Sequence, residues 1–216
     1  MTEVVDVATE LGAARWYVDT PSKRPVAQLL LGHGAGGGID AADLNALATA
    51  LPSSGIEVCR FEQPWRVSGR KVAGTPNSLD QAWLEGHVAV ADPERPVVVG
   101  GRSAGARVAC RTAKAVRAVG VLTLAFPLHP PGRPEKTRAD ELPDLPLLAV
   151  QGGRDPFGSA EEMRQLSASE RTVLEIPGGD HSLRVSRSGP VTQSEADEIV
   201  LLAVRRWMLD LVRRYR

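Results

Sequence analysis

The sequence predicts an α/β fold in which a mostly parallel central sheet of about seven strands is flanked by helices. Short apolar runs alternate with helical patterns along the chain, which is typical of strands joined by crossover helices. From residue 27 onward these runs are nearly continuous, as expected for parallel strands that are covered on both faces. The predicted strands span residues 14–19, 27–31, 56–61, 97–100, 119–125, 147–151 and 172–176.

Helix start signals lie between the predicted strands. Ser78, Ser159 and Thr192 are each followed, three residues later, by Gln or Glu, which is the spacing of a capping box. Asp40 is expected to cap the helix that follows the second strand. The last predicted helix carries apolar residues at three- and four-residue spacing, so one of its faces is expected to pack on the sheet.

Length and composition limit the class of protein. A chain of 216 residues suits a single domain over 1–216. Its 26 basic and 26 acidic side chains balance, which gives no electrostatic reason to expect nucleic acid or a membrane as partner. Cys59 and Cys110 lie in apolar stretches and are expected to be buried and unbridged. The chain starts without the apolar stretch of a signal peptide, so a cytoplasmic location is expected.

Residues 101–105, Gly-Arg-Ser-Ala-Gly, fit the pattern G-x-S-x-G directly after a predicted strand and before a predicted helix. In that context Ser103 lies on a sharp strand-to-helix turn, and the small residues beside it let the backbone turn without clashes. The hydroxyl is then exposed at the carboxyl edge of the sheet, where open α/β folds place their ligands. Ser103 is therefore the candidate nucleophile.

A serine nucleophile needs a base, and His181 follows the last predicted strand. The base needs an acid to hold its second nitrogen, and Asp155 lies four residues beyond the end of the preceding strand. The order Ser103, Asp155, His181 thus places three chemical groups at three strand ends. Asp180 is the alternative acid, but adjacent side chains on an extended segment point in opposite directions.

An acyl-transfer site also needs backbone N–H groups that stabilise the oxyanion of the tetrahedral intermediate. The N–H of Ala104, directly after the nucleophile, is expected to be one donor. The second donor is expected from the glycine-rich segment 32–38, which follows a predicted buried strand. Within this segment Ala35 is favoured, and Gly36 is the next choice.

The same segment has a competing interpretation. Gly32, Gly34 and Gly37 match the dinucleotide-binding pattern after a strand, and Glu62 lies where a ribose-binding acid is expected. That interpretation would leave the placement of the three candidate catalytic residues to coincidence, so it is the less favoured one. No histidine or cysteine spacing in the sequence is typical of a metal site, and neither a metal nor another cofactor is expected.

Several other polar residues are candidates for a substrate pocket. His33 is expected mainly to orient the glycine-rich segment, and Arg102 lies beside the nucleophile. For His129 two roles stay open, as a pocket residue or as one that only orders its loop. The basic run that contains Arg66 and Arg70 is expected to be solvated, with a cleft that favours anionic substrates as the alternative.

These motifs resemble those of the α/β-hydrolase superfamily over nearly the whole chain. Segments 101–109, 126–132 and 151–158 resemble a narrower group of small, lidless serine hydrolases related to dienelactone hydrolases. That group includes a predicted hydrolase-like subunit of an animal chromatin-modifying complex. The resemblance implies an α/β-hydrolase fold without a cap domain and a serine triad. Dienelactone hydrolases proper use a cysteine nucleophile, whereas this chain has Ser103, so a lactone substrate is not implied.

The sequence therefore predicts a serine hydrolase that acts through an acyl-enzyme on a small acyl substrate, an ester or a thioester, without a cofactor. The second hypothesis is a non-catalytic interaction module with the same fold, because a fold alone does not establish an activity. Every chemical group that the mechanism needs is present, which favours the enzyme.

Overall fold

In the computed structural model, which describes residues 2–166 and 168–215, eight strands form one sheet. Residues 1, 167 and 216, which belong to the domain expected over the whole chain, lie outside the described residues. The strands are β1 (Thr2–Thr9), β2 (Gly12–Asp19), β3 (Ala27–Gly32), β4 (Ile56–Glu62), β5 (Val97–Arg102), β6 (Gly120–Leu124), β7 (Leu147–Gly152) and β8 (Arg171–Ile176). The helices are α1 (Ala42–Ala50), α2 (Pro64–Val67), α3 (Pro76–His87), α4 (Ala104–Thr112), α5 (Ala160–Gln165) and α6 (Gln193–Arg213).

The sheet confirms the predicted α/β fold. Its spatial order is β1-β2-β4-β3-β5-β6-β7-β8, and every pair from β4 to β8 is parallel. β1 and β2 form an antiparallel hairpin, and β2 also pairs antiparallel with β4. Because parallel strands end at the same edge, the loops after β3, β5, β7 and β8 meet there.

The prediction of seven strands missed β1. Five of the eight residues of β1 are exposed, so the segment lacks the apolar run by which the other strands were recognised. Its backbone pairs with all of β2, from Thr2 opposite Asp19 to Thr9 opposite Gly12. Backbone hydrogen bonds to a neighbouring strand, and not burial of its own side chains, therefore define this edge strand.

Two of the predicted helix starts are wrong by a few residues. α3 is capped by the side chain of Thr75, which accepts from the N–H of Ser78, because Pro76 already has the backbone conformation of a first helical residue. α1 follows Ala41 and has no side-chain cap, so Asp40 does not cap it. The capping boxes predicted at the starts of α5 and α6 are both confirmed.

Helices cover both faces of the sheet. α1 and α6 pack on one face, where Leu47 and Val204 are fully buried. α3 and α4 pack on the other face, where the ring centroids of Trp83 and Trp16 are 5.3 Å apart. Burial of this apolar surface from water is the main favourable contribution to folding. Cys59 and Cys110 are buried and unbridged, as predicted.

Nothing in residues 2–166 and 168–215 forms a cap domain over the carboxyl edge of the sheet. The carboxyl edge is therefore covered only by loops.

Among the helices of these residues, none combines the length and apolar character that crossing a membrane requires.

Candidate active site

Ser103 lies between β5 and α4 with an unusual backbone conformation. Its φ of 50° and ψ of −110° are strained for a residue with a side chain. Its N–H donates to the carbonyl oxygen of Leu124 on the neighbouring strand, at 3.0 Å, which anchors the turn to the sheet. The turn directs the serine hydroxyl into the space above the sheet edge.

The two glycines of the G-x-S-x-G motif are required by close packing against β3. A Cβ atom on Gly101 would lie 2.5 Å from the carbonyl oxygen of Gly32. A Cβ atom on Gly105 would clash with the same carbonyl group, because the start of α4 lies directly against the end of β3. The motif therefore brings the nucleophile turn and the glycine-rich segment into contact.

The structure brings Ser103, His181 and Asp155 together in one chain of hydrogen bonds. Ser103 Oγ lies 2.9 Å from His181 Nε2, and His181 Nδ1 lies 2.8 Å from Asp155 Oδ2. An ionised carboxylate can only accept hydrogen bonds, so Nδ1 carries the proton that faces Asp155. Nε2 is then free to accept the proton of the serine hydroxyl.

Asp155 is buried and held by neighbouring donors. The N–H of Phe157 donates to Oδ1 at 2.8 Å, and Nε2 of Gln151 donates to Oδ2 at 3.0 Å. The side-chain amide of Gln151 is fixed in turn by the backbone of Phe126. Its Oε1 accepts from the Phe126 N–H at 3.0 Å, and its Nε2 donates to the Phe126 carbonyl oxygen at 3.1 Å. Gln151 was not predicted as a site residue, although it stands out in the sequence as a polar residue at the end of an apolar strand.

The loop that carries His181 is a tight turn stabilised by Asp180. The carboxylate of Asp180 accepts from the N–H groups of Ser182, at 2.7 Å, and Arg184, at 3.0 Å. It does not reach the imidazole, whose acid partner is Asp155. The ring of Phe157 lies against the imidazole with centroids 4.2 Å apart, which limits rotation of the imidazole.

Arg102 connects the imidazole loop to α1. Its Nε donates to Asp43 Oδ2 at 2.8 Å, and its two terminal nitrogens lie 3.2 and 3.3 Å from the carbonyl oxygen of His181. Arg102 was predicted as a candidate pocket residue. It does line the cavity, but these donors bind protein groups. Asp43 was missed because only the folded chain places the first turn of α1 beside the nucleophile turn.

His33 holds the start of the glycine-rich segment. It is buried, with Nδ1 2.9 Å from the carbonyl oxygen of Gly34 and Nε2 3.2 Å from the N–H of Gln63. Nε2 therefore accepts, Nδ1 donates, and the ring is neutral. Burial lowers the pKa of His33, which keeps it in that form.

The proposed oxyanion donors lie around Ser103. Ala35 and Gly36 are exposed at the cavity, and Ala104 is the first residue of α4, whose first N–H groups have no partner within the helix. Within the described part of the chain, the N–H groups of these three residues donate to no other group. They therefore stay the predicted donors to an oxyanion.

These groups surround an open cavity of about 790 Å³, called here the Ser103 cavity. Its lining residues are Gly34, Ala35, Gly36, Gly37, Ala41, Ala42, Asp43, Arg102, Ser103, Phe157, Asp180, His181, Ser182 and Arg184. Of the two roles left open for His129, the contacts of its ring favour the loop-ordering one: Nδ1 lies 2.9 Å from the Pro130 carbonyl oxygen and Nε2 2.9 Å from Glu162 Oε1, and His129 is not among the lining residues. Arg66 and Arg70 are exposed and also lie outside the lining.

The chain is similar to known proteins in both sequence and structure. Residues 25–208 match the model of a family described as an alpha/beta hydrolase domain.

A lidless α/β serine hydrolase from Xanthomonas campestris is similar in structure, with 20% identity and a TM-score of 0.68. The match covers 99% of this chain and 94% of that chain. Est1E from Butyrivibrio proteoclasticus has 16% identity and a TM-score of 0.75, and the match covers 97% of this chain and 99% of Est1E. A dienelactone hydrolase from Anabaena variabilis has 16% identity and a TM-score of 0.74, with 97% of each chain covered. At these identities, the structural similarity establishes a shared fold.

Proposed function

The chain belongs to the α/β hydrolase domain family, whose fold supports a hydrolase, and on this premise we propose that it is a serine hydrolase for a small ester or thioester. One observation carries the proposal, namely the hydrogen-bonded chain from Ser103 through His181 to the buried Asp155 at the edge of an open cavity. Nucleophile, base and orienting acid are the three groups that acyl transfer by a serine requires.

The proposed reaction begins when Ser103 Oγ attacks the carbonyl carbon and its proton passes to His181 Nε2. Asp155 holds the imidazole in position and stabilises the imidazolium that forms. The oxyanion is stabilised by the N–H of Ala104 and that of Ala35 or Gly36.

Collapse of the tetrahedral intermediate then breaks the bond to the leaving group. His181 gives its proton to the leaving alcohol or thiol, and the acyl group stays on Ser103 as an ester. In the second half, His181 takes a proton from a water molecule that attacks the acyl-enzyme. Breakdown of that intermediate releases the acid and restores the serine hydroxyl.

Structural neighbours support an ester over other acyl substrates. Est1E has a structure with ferulic acid bound, and a bacterial heroin esterase is similar over 96% of this chain, with 19% identity and a TM-score of 0.66. The similarity to a dienelactone hydrolase does not carry a lactone substrate to this chain, whose candidate nucleophile is Ser103.

The proposal is tested by labelling the purified protein with a fluorophosphonate and locating the adduct by intact mass and peptide mapping. We expect one adduct, on Ser103, because its hydroxyl is activated by His181. The control is the Ser103→Ala variant, which should remain unlabelled. A folded wild-type protein without an adduct would contradict the proposal and favour the non-catalytic interaction module.

We also propose that Arg102 acts as a positioning residue for His181. The Arg102→Met variant removes the guanidinium that joins the His181 carbonyl to Asp43. We expect kcat for a small ester to fall by about 10²-fold, because misplacement of a catalytic group by about 1 Å has an effect of that size. KM should change much less, since Arg102 makes no proposed contact with the substrate. Steady-state kinetics measures both constants.

The matched control is Arg107→Met. Arg107 also forms a partly buried ion pair, with Glu141, but the pair lies outside the Ser103 cavity. This variant should lower the midpoint of thermal unfolding while leaving kcat close to wild type. Equal losses of kcat in the two variants would show that Arg102 contributes only to stability.

A further inference from the structure

A second cavity, of about 350 Å³, adjoins the Ser103 cavity and is called here the α1/α6 groove. It lies between α1, the start of α6 and the loop after His181. Its apolar lining includes Ala46, Leu183, Val185, Ala196, Val200 and Leu201. Ala42, Asp43, Ser182 and Arg184 line both cavities, so the groove continues from the space in front of Ser103. Its volume lies in the range of about 300–1,000 Å³ that is typical of small-molecule sites.

The space next to the proposed oxyanion donors is much smaller. A crevice beside Ala104 and Ala35 is walled by the buried side chains of Trp65, Leu79 and Trp83. Its free volume is about 10 Å³, which is close to the space that one water molecule needs. A substrate group that enters this crevice must therefore be short.

The proposed chemistry decides which part of a substrate faces which side. The leaving oxygen or sulfur must lie within hydrogen-bond reach of His181 Nε2, because that atom protonates it. The residues that follow His181, from Ser182 to Val185, also line the α1/α6 groove. A leaving group beside His181 is therefore next to the α1/α6 groove, which leaves the crevice walled by Trp65 and Trp83 to the acyl group.

The two carboxylates of the groove are paired, and its exposed polar residues Arg184 and Ser182 lie where it meets the Ser103 cavity. Asp43 is paired with Arg102, and Asp197 Oδ1 accepts from Gln193 Nε2 at 2.8 Å. The remaining surface is mostly that of alanine, valine and leucine side chains. Such a surface favours an apolar occupant without a charge.

We propose that the substrate is an ester or thioester of a short acid with an extended apolar alcohol or thiol, and that the α1/α6 groove binds this leaving group. This inference rests on the proposed serine hydrolase activity. It assigns the specificity of that activity to a groove formed by α1 and α6 on one side of the molecule.

The test compares hexyl acetate with ethyl hexanoate. The two esters are isomers, and they differ only in the side of the ester group that carries the long chain. We expect kcat/KM for hexyl acetate to exceed that for ethyl hexanoate by at least about tenfold, since even one methylene in an apolar pocket can give a factor of that size. Hydrolysis is followed in a pH-stat.

The Ala46→Trp variant adds bulk to the α1 side of the groove at a partly exposed position, where the fold can accommodate it. It should lower the ratio of kcat/KM for hexyl acetate over ethyl hexanoate by about tenfold. Thr49→Trp adds the same bulk to an exposed position of α1 outside both cavities, and it should keep the wild-type ratio.

Two failures are distinguishable. Hydrolysis of both isomers with similar kcat/KM, or equal effects of the two tryptophan variants, would overturn the assignment of the groove and leave the proposed hydrolase in place. No hydrolysis of either isomer, with no fluorophosphonate adduct on Ser103, would overturn both proposals.

Discussion

Replacing Ser103 with alanine is expected to lower kcat for ester hydrolysis by about 10⁶-fold, the size of effect found when a serine nucleophile is removed. The variant keeps His181, Asp155 and the oxyanion donors but has no oxygen with which to form the acyl-enzyme. Alanine adds no atoms to the turn, so the packing of Gly101 and Gly105 against β3 is retained. Initial rates with hexyl acetate at saturating concentration measure the loss.

The control for this substitution is Ser186→Ala, which changes an exposed serine in the loop after His181 and outside the Ser103 cavity. It should hydrolyse hexyl acetate at the wild-type rate. If Ser103→Ala is free of wild-type contamination and still retains more than about one hundredth of the wild-type kcat, another group must be the nucleophile.

Replacing Asp155 with asparagine is expected to lower kcat by about 10⁴-fold, because the change alters which imidazole nitrogen carries the proton. Phe157 N–H and Gln151 Nε2 each donate to one carboxylate oxygen. In the asparagine, the side-chain carbonyl oxygen can accept from one of these two donors. The NH₂ group replaces the second carboxylate oxygen and can donate to His181 Nδ1. His181 would then carry its proton on Nε2 and could not accept the proton of Ser103.

Asp180→Asn is the matched control, because it makes the same chemical change one residue before the base. The asparagine oxygen can still accept from the N–H groups of Ser182 and Arg184, so the turn is preserved. We expect kcat to fall by less than about tenfold. A larger loss for Asp180→Asn than for Asp155→Asn would show that the acid has been assigned to the wrong residue.

Most of the fold could be predicted from the sequence because β3 to β7, the five central strands along the chain, are buried almost throughout. Those predicted from residue 27 onward are nearly continuous apolar runs, and the structure places all seven predicted strands within two residues of the predicted ends. β1 could not be predicted in this way. Its side chains are largely exposed, and its place in the sheet depends on hydrogen bonds to a segment that only folding brings beside it.

The order of Ser103, Asp155 and His181 along the chain already suggested that they meet, for a topological reason. Parallel strands end at one edge of a sheet, so residues that follow different strands are brought close without any contact along the sequence. The local signals of the turn, two glycines around a serine after a buried strand, were equally visible. The sequence by itself therefore determined the fold class and which residues are candidates.

Only the tertiary structure decided what holds these residues and what surrounds them. Arg102 joins Asp43 on α1 to the carbonyl group of His181, Gln151 donates to Asp155, and His129 contacts Glu162. Each of these contacts depends on the direction in which a side chain leaves its loop or helix. That direction is set by packing between segments distant in sequence, which the local pattern of residues does not encode.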